Sequence, residues 1–190
     1  MTIVACKRIA GWGHMTSSSR LSRTCGSSAV ILALVCLTTS LALAQSAADL
    51  PHRNDAIAGI TTAGQPSAAA LSALAAAGYK SVIDLRTPKE DRGLDEKKAV
   101  EDLGMRYINL PVSGADDISF KNADELDKLL AAAPKPVLLH CSTSNRVGAL
   151  LALRAELKGT DRDKALDLGI ASGLGSLKPV VEKKLEAGHD

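Results

Sequence analysis

The chain has 190 residues, 46% of them apolar and 2% aromatic, and a formal net charge of +2. That length suits one domain with a leader. The near-neutral balance excludes the strongly basic footprint of a nucleic-acid-binding domain. In chain order the leader comes first: Lys7, Arg8, Arg20 and Arg23 are the only charged residues before Asp49, and "AVILALVCLTTSLALA" follows them. A basic region, an apolar core and a small-x-small end at Ala42-Leu43-Ala44 are the marks of a secretory signal peptide over residues 1–44. Its removal takes away Cys6, Cys25 and Cys36, lowers the basic residues from 23 to 19 against 21 acidic ones, and turns the charge from +2 to −2. The expectation is an exported, periplasmic protein with no stable membrane association after cleavage and no nucleic-acid partner. Its one remaining thiol, Cys141, cannot pair internally.

Residues 45–56 read as a loosely ordered segment, and 57–190 as one domain. Ile57 to Thr62 is expected to be a short strand despite Gly59. Ser67 stands where a helix N-cap belongs, Leu71, Leu74 and Ala75 have helical spacing, and Gly78 ends the helix. "KSVIDLR" is a strand, and a charged helix spans about 95–103. "MRYINLPV" is a strand, "SGADD" is loop chemistry, and Leu126, Leu129 and Leu130 share a helix face. "KPVLLHC" is a strand, an apolar helix starts near Arg146, and helices over about 161–170 and 176–187 finish the chain. Strands alternating with helices imply an α/β domain in three layers, with a mostly parallel central sheet of about four to five strands. The continuous run Val137-Leu138-Leu139 suits a central strand covered on both faces. Cys141 then falls at the carboxyl end of that strand, where open α/β sheets bind ligands.

"HCSTSNR" carries the chemistry. Backbone N–H groups from Ser142 to Val147 can curl around an anion at the helix start. Arg146 adds a planar cationic fork, and Ser142, Thr143, Ser144 and Asn145 add polar side chains. The same field favours thiolate over thiol, so Cys141 is expected below the ordinary value of about 8.5 and facing solvent as a nucleophile. Arg86 stands at a strand end from which it reaches either the anion site or a salt bridge with Glu90 or Asp91. No metal-binding cluster is evident, because His52, His140 and His189 are far apart in sequence, and no cofactor is expected.

The order His140-Cys141, turn, Arg146 resembles the active-site loop of cysteine-dependent phosphatases. The run "GQPSAAALSALAAAGYKSVIDLR … INLPV … VLLHCSTSNRVGALLAL" is similar to the phosphatase-like domain of beta-lactamase hydrolase-like proteins, bacterial relatives of dual-specificity phosphatases. The resemblance implies hydrolysis of a phosphorylated small molecule or phosphoprotein through a cysteinyl-phosphate on Cys141. Arg146 and the loop amides would hold the phosphoryl oxygens, and Asp116 or Asp117 would act as general acid. His140 would orient the loop by hydrogen bonding. Two departures open other readings. Only four residues separate Cys141 from Arg146, a loop size closer to rhodanese sulfurtransferases, and Val147 replaces the hydroxyl residue that usually follows the arginine. The alternatives are sulfur transfer through a Cys141 persulfide and an oxyanion-binding module with weak turnover.

Overall fold

The computed structural model describes residues 50–188. The leader expected over 1–44 lies outside the described residues. Five strands form one sheet in the order β1-β2-β5-β3-β4, with β1 Asn54–Ile57, β2 Ile60–Ala63, β3 Ser81–Asp84, β4 Arg106–Asn109 and β5 Val137–His140. β1 pairs antiparallel with β2, and the other pairings are parallel. The strand expected over 57–62 corresponds to β2 and the turn before it, while β1 falls mostly in the segment 45–56. Ala58-Gly59 makes the turn between the two strands, and Gly59 at φ +75° takes the left-handed conformation that glycine tolerates best. Of the segment expected to be loosely held, Leu50 is buried and Asn54 onward belongs to the sheet edge.

Alternate residues of the inner strands face two separate cores, as a period of two requires. Val82 and Leu138 pack with Leu71 and Leu74 of α1 (Ala68–Ala76) and Val100 of α2 (Glu96–Asp102). Ile83 and Leu139 pack with Leu126 and Leu130 of α3 (Phe120–Ala132) and with α4 (Asn145–Leu157). Val181 and Leu185 of α6 (Lys178–Ala187) close that second layer, and α5 (Arg162–Ala171) lies against α4. Helix starts follow the side chains that satisfy their free amides: Ser67 accepts from Ala70, Asp95 from Lys98 and Ser119 from Asn122.

β5 sits at the centre of the sheet, and all four of its residues are buried. It hands the chain directly to α4, which is buried on nearly all sides from Arg146 to Leu153. α4 can be enclosed this fully because Gly148 has no side chain. A Cβ there would lie 2.2 Å from the Leu174 amide nitrogen and 2.5 Å from the Gly169 carbonyl oxygen. The close approach brings the segment after α5, residues 172–177, against the loop that joins β5 to α4.

Candidate active site

The loop between β5 and α4 is four residues long, Cys141 to Ser144. It is braced from the β2 side: Gln65 donates its amide to the Ser142 carbonyl at 3.2 Å, and Gly64 bridges Thr143. Ser144 closes the turn at φ 66°, in the left-handed region. Its hydroxyl is buried and donates to the Ser172 carbonyl at 3.0 Å. Asn145 accepts from the amides of Gly175 at 2.8 Å and Leu177 at 3.3 Å, and donates to Ser176 Oγ at 2.7 Å. Both residues were expected to line the anion cradle. Their side chains instead tie the loop to residues 172–177, because the close crossing of α4 and α5 puts that segment within reach.

Arg146 lies at the first turn of α4 with four N–H groups engaged. Nη1 donates to Glu90 Oε1 at 2.8 Å and to the Val112 carbonyl at 2.6 Å. Nη2 donates to Glu90 Oε2 at 2.7 Å and to Ser142 Oγ at 3.1 Å. The pair with Glu90 is bidentate, the geometry a guanidinium favours. Hydrogen bonds to Glu90 hold Arg146 more firmly protonated than usual, and its closeness to the Cys141 sulfur adds to that charge stabilisation. The cysteine and the arginine at the two ends of the loop are thus brought together. The bond to the exposed Ser142 hydroxyl is the longest of the four, so it is the one an incoming oxyanion displaces with least loss.

Cys141 itself has no solvent-exposed surface and belongs to the core that Ile83 and Leu139 share with α3 and α4, whereas Ser142 and Thr143 are exposed. The solvent-facing thiol expected from the sequence is therefore corrected to a thiol at the floor of the site. The physical reason is position: Cys141 directly follows the fully buried central strand, and the next residues fold over it. Val147, where a hydroxyl was expected to be missing, is likewise fully buried in the core.

Glu90, which sequence reasoning placed only beside Arg86, organises this side of the site. It accepts from Arg146, from the Thr87 amide at 2.8 Å and from Arg86 Nε at 3.2 Å. Arg86 also donates to Gln65 and to the Asp91 carbonyl, so it is committed to the structure around the loop and not to an open anion site. Hydrogen bonds from Arg146, followed by the smaller contributions of Thr87 and Arg86 against the opposing effect of burial, lower the Glu90 carboxyl to about 2. A group depressed from 4.5 to about 2 on folding stabilises the protein fully above 4.5 and loses that contribution as pH falls through 2. Thermal unfolding between pH 6 and 2 should therefore show a drop in Tm confined to the lower part of that range, about pH 4.5 to 2, which Glu90→Gln makes shallower. An unchanged slope in the variant would contradict the clamp.

Behind the loop lies a buried polar group that the sequence did not announce. His140, Asp84 and Glu96 are each at most 1% exposed. His140 Nε2 is 2.7 Å from Glu96 Oε1 and 3.8 Å from Asp84 Oδ1. Asp84 accepts from Arg92 Nε and Tyr107 Oη, each at 2.8 Å, and from the Arg86 amide at 2.7 Å. Gln65 donates to Glu96 Oε2 at 2.9 Å. Burial pushes Glu96 upward, but the contacts with His140 and Gln65 and the charge of Arg92 outweigh it and hold the carboxyl below its usual range. Burial, then the Asp84 carboxylate, raise the Tyr107 phenol above its ordinary value. Asp84, Glu96 and His140 place potential metal-ligand atoms within 4.8 Å of one another, contrary to the expectation that no such cluster exists. Arg92, 2.7 Å from Asp84, already supplies a positive charge to it.

Asp116 and Asp117 lie in a 3-10 turn, Ala115–Asp117, between β4 and α3. Asp117 accepts from the Ser113 amide at 2.8 Å and from the Ser113 hydroxyl, and these bonds hold its carboxyl below the usual value. It is a turn-forming residue. Asp116 is exposed, and its carboxylate makes no hydrogen bond among the described residues. Val112, just upstream, touches Arg146, so the turn borders the site.

The chain is similar to known proteins in sequence and in fold. A beta-lactamase hydrolase-like protein of Agrobacterium fabrum is 34% identical over 119 residues, 60% of this chain. The chain spans about a quarter of that relative's length, since the match covers 27% of it. Among solved structures, a candidate phosphatase of Neisseria meningitidis superposes with a TM-score of 0.59 at 23% identity, over 68% of this chain and 96% of its own. A candidate phosphatase of Shewanella putrefaciens gives 0.56 at 19% identity, over 76% and 99%. These likenesses show a cysteine-phosphatase fold, with a mixed five-stranded sheet flanked by helices. Residues 34–172 match the family described as "DSP-PTPase phosphatase fused to NAD+ Kinase", and the chain, through this dual-specificity-type phosphatase domain, belongs to that family.

Proposed function

We propose that this protein is an exported, cysteine-dependent phosphomonoester hydrolase. The observation that carries the reading is the meeting of Cys141 and Arg146 across the loop at the carboxyl end of β5. The Cys141 thiolate attacks phosphorus, the S–P bond forms as the P–O ester bond breaks, and Asp116 gives its proton to the departing oxygen. The Asp116 carboxylate then takes a proton from water, which cleaves the S–P bond to release phosphate and the thiolate. Arg146 stabilises the charge spread over the equatorial oxygens, and the loop amides share it. His140, buried against Glu96, stiffens the strand end that presents the thiol. The substrate is a phosphorylated small molecule or a phosphoprotein that reaches the thiol past Ser142 and Thr143. Export, to the periplasm, follows from the basic-apolar-small order of residues 1–44; cell fractionation with N-terminal sequencing of the mature protein tests it.

A second reading is sulfur transfer, favoured by the four residues, Ser142 to Asn145, that separate Cys141 from Arg146 and by the buried Val147 in place of a hydroxyl. One experiment separates the two. The purified protein is quenched during reaction with para-nitrophenyl phosphate, or after thiosulfate, and its intact mass is read. A phosphoryl adduct of about 80 mass units that is lost in Cys141→Ser supports the phosphatase. A gain of about 32 units from thiosulfate, without the phosphoryl adduct, supports persulfide chemistry. Hydrolysis at equal rates by wild type and Cys141→Ser removes the thiol from the mechanism.

A further inference from the structure

A groove of about 520 Å³ separates the 3-10 turn from α6. Ala115 and Asp116 form one wall, and Pro179, Val180, Lys183 and Lys184 form the other. Both walls are anchored to the first turn of α4. Val112, three residues before Ala115, accepts from Arg146 at 2.6 Å, and Leu177, two residues before Pro179, donates to Asn145 at 3.3 Å. The groove therefore borders the candidate active site. Its near part, at Ala115, Pro179 and Val180, is largely apolar. Lys183 and Lys184 follow one helical turn further along α6. Neither lysine has a carboxylate partner among the described residues, whereas Lys178 on the same helix is paired with Glu182 at 3.2 Å.

Resting on the phosphatase reading above, we propose that this groove holds the leaving group of the substrate, and that the leaving group is an apolar spacer ending in an anion. The first half follows from Asp116. A general acid must lie against the oxygen it protonates, and Asp116 is a wall of the groove, so the departing group extends along that wall. The second half follows from the lysines. They stand about 5 Å, one helical pitch, beyond Pro179 and Val180, and two cations with no carboxylate partner among the described residues complement one carboxylate or phosphate. A neutral or cationic end would leave them unmatched.

The test compares two substrates of one shape: the phosphate ester of para-hydroxyphenylpropanoate and the phosphate ester of the matching propanamide. The acid should show kcat/KM about fivefold above the amide at low ionic strength, and the preference should shrink toward unity at about 0.5 M salt. Lys183→Gln combined with Lys184→Gln should abolish the preference while leaving hydrolysis of para-nitrophenyl phosphate unchanged. Equal rates for acid and amide, with para-nitrophenyl phosphate still hydrolysed, overturn the groove assignment and leave the phosphatase reading intact. If para-nitrophenyl phosphate is not hydrolysed, the phosphatase reading fails. Calorimetric titration of the Cys141→Ser protein with the two esters then decides the groove: tighter binding of the acid, lost in the lysine variant, supports it, and equal binding overturns it.

Discussion

Arg146→Ala should lower kcat/KM for para-nitrophenyl phosphate by about a thousandfold, because in the proposed mechanism it removes the main positive charge facing the phosphoryl oxygens. Arg146→Lys should recover little of this, since an ammonium is a point charge and cannot make the forked contact that the site uses. The guanidinium does two jobs in the structure. It holds Glu90 in a bidentate pair at 2.7 and 2.8 Å, and it ties the turn before Asp116 through the Val112 carbonyl. Truncation should therefore leave Glu90 to Thr87 and Arg86, loosen the Asp116 turn and empty the proposed anion site together. Glu90→Gln separates these roles. It keeps a hydrogen-bonding arm over Arg146 and removes the competing carboxylate, so its effect on kcat/KM should be several times smaller than that of Arg146→Ala. Steady-state kinetics of the three variants, with Tm measured in parallel, check the order. An Arg146→Ala protein with wild-type kcat/KM and wild-type Tm would remove the arginine from both the chemistry and the scaffold.

Local signals carried the fold. Val137-Leu138-Leu139 read as a buried central strand because β5 is covered on both faces, and Ser67 read as a cap because its hydroxyl answers a free amide. The hairpin at Gly59 was missed because Asn54 to Ala56 lie in a polar, small-residue stretch read as loosely held, and no strong turn pair marks Ala58-Gly59 as a hairpin. In the site, the closeness of Cys141 and Arg146 was legible because only four residues separate them, at the end of β5 and the start of α4. Glu90 lies 56 residues from Arg146, and Glu96 lies 44 residues from His140, so their pairing is set by the packing of the loop after β3 against β5 and not by spacing. Asp84 did carry a signal: a carboxylate that follows Val82 and Ile83 in a buried strand must have a partner. Ser144 and Asn145 were misread for the converse reason. Their types suit an anion cradle, but residues 172–177 compete for the same polar atoms, and Gly148 lets that segment come close enough to win.

Glu96→Ala should destabilise the protein by about 3–5 kcal/mol, the usual cost of stripping one partner from a buried charged cluster. Glu96 is 1% exposed and takes contacts from His140, from Gln65 and, at 3.8 Å, from Arg92. Alanine would take the nearest carboxylate from the His140 ring, leave the Gln65 amide with only the Pro66 carbonyl at 3.3 Å, and leave Arg92 with Asp84 as its one carboxylate partner. Glu96→Gln keeps an acceptor for one of them and should cost about 1–2 kcal/mol. A domain of this size should then lose roughly 10 °C or more in Tm for the alanine variant and a few degrees for the glutamine variant. Function supplies a second readout. His140 immediately precedes Cys141, so loosening its anchor lets the thiol wander at the floor of the site, and the glutamine variant should lose more in kcat than in KM while remaining folded. Were Glu96→Ala as stable as wild type, the cluster would not be a scaffold for the loop. Were Glu96→Gln to keep full kcat, His140 would hold its place without Glu96, and the cluster would stabilise the sheet without positioning the nucleophile.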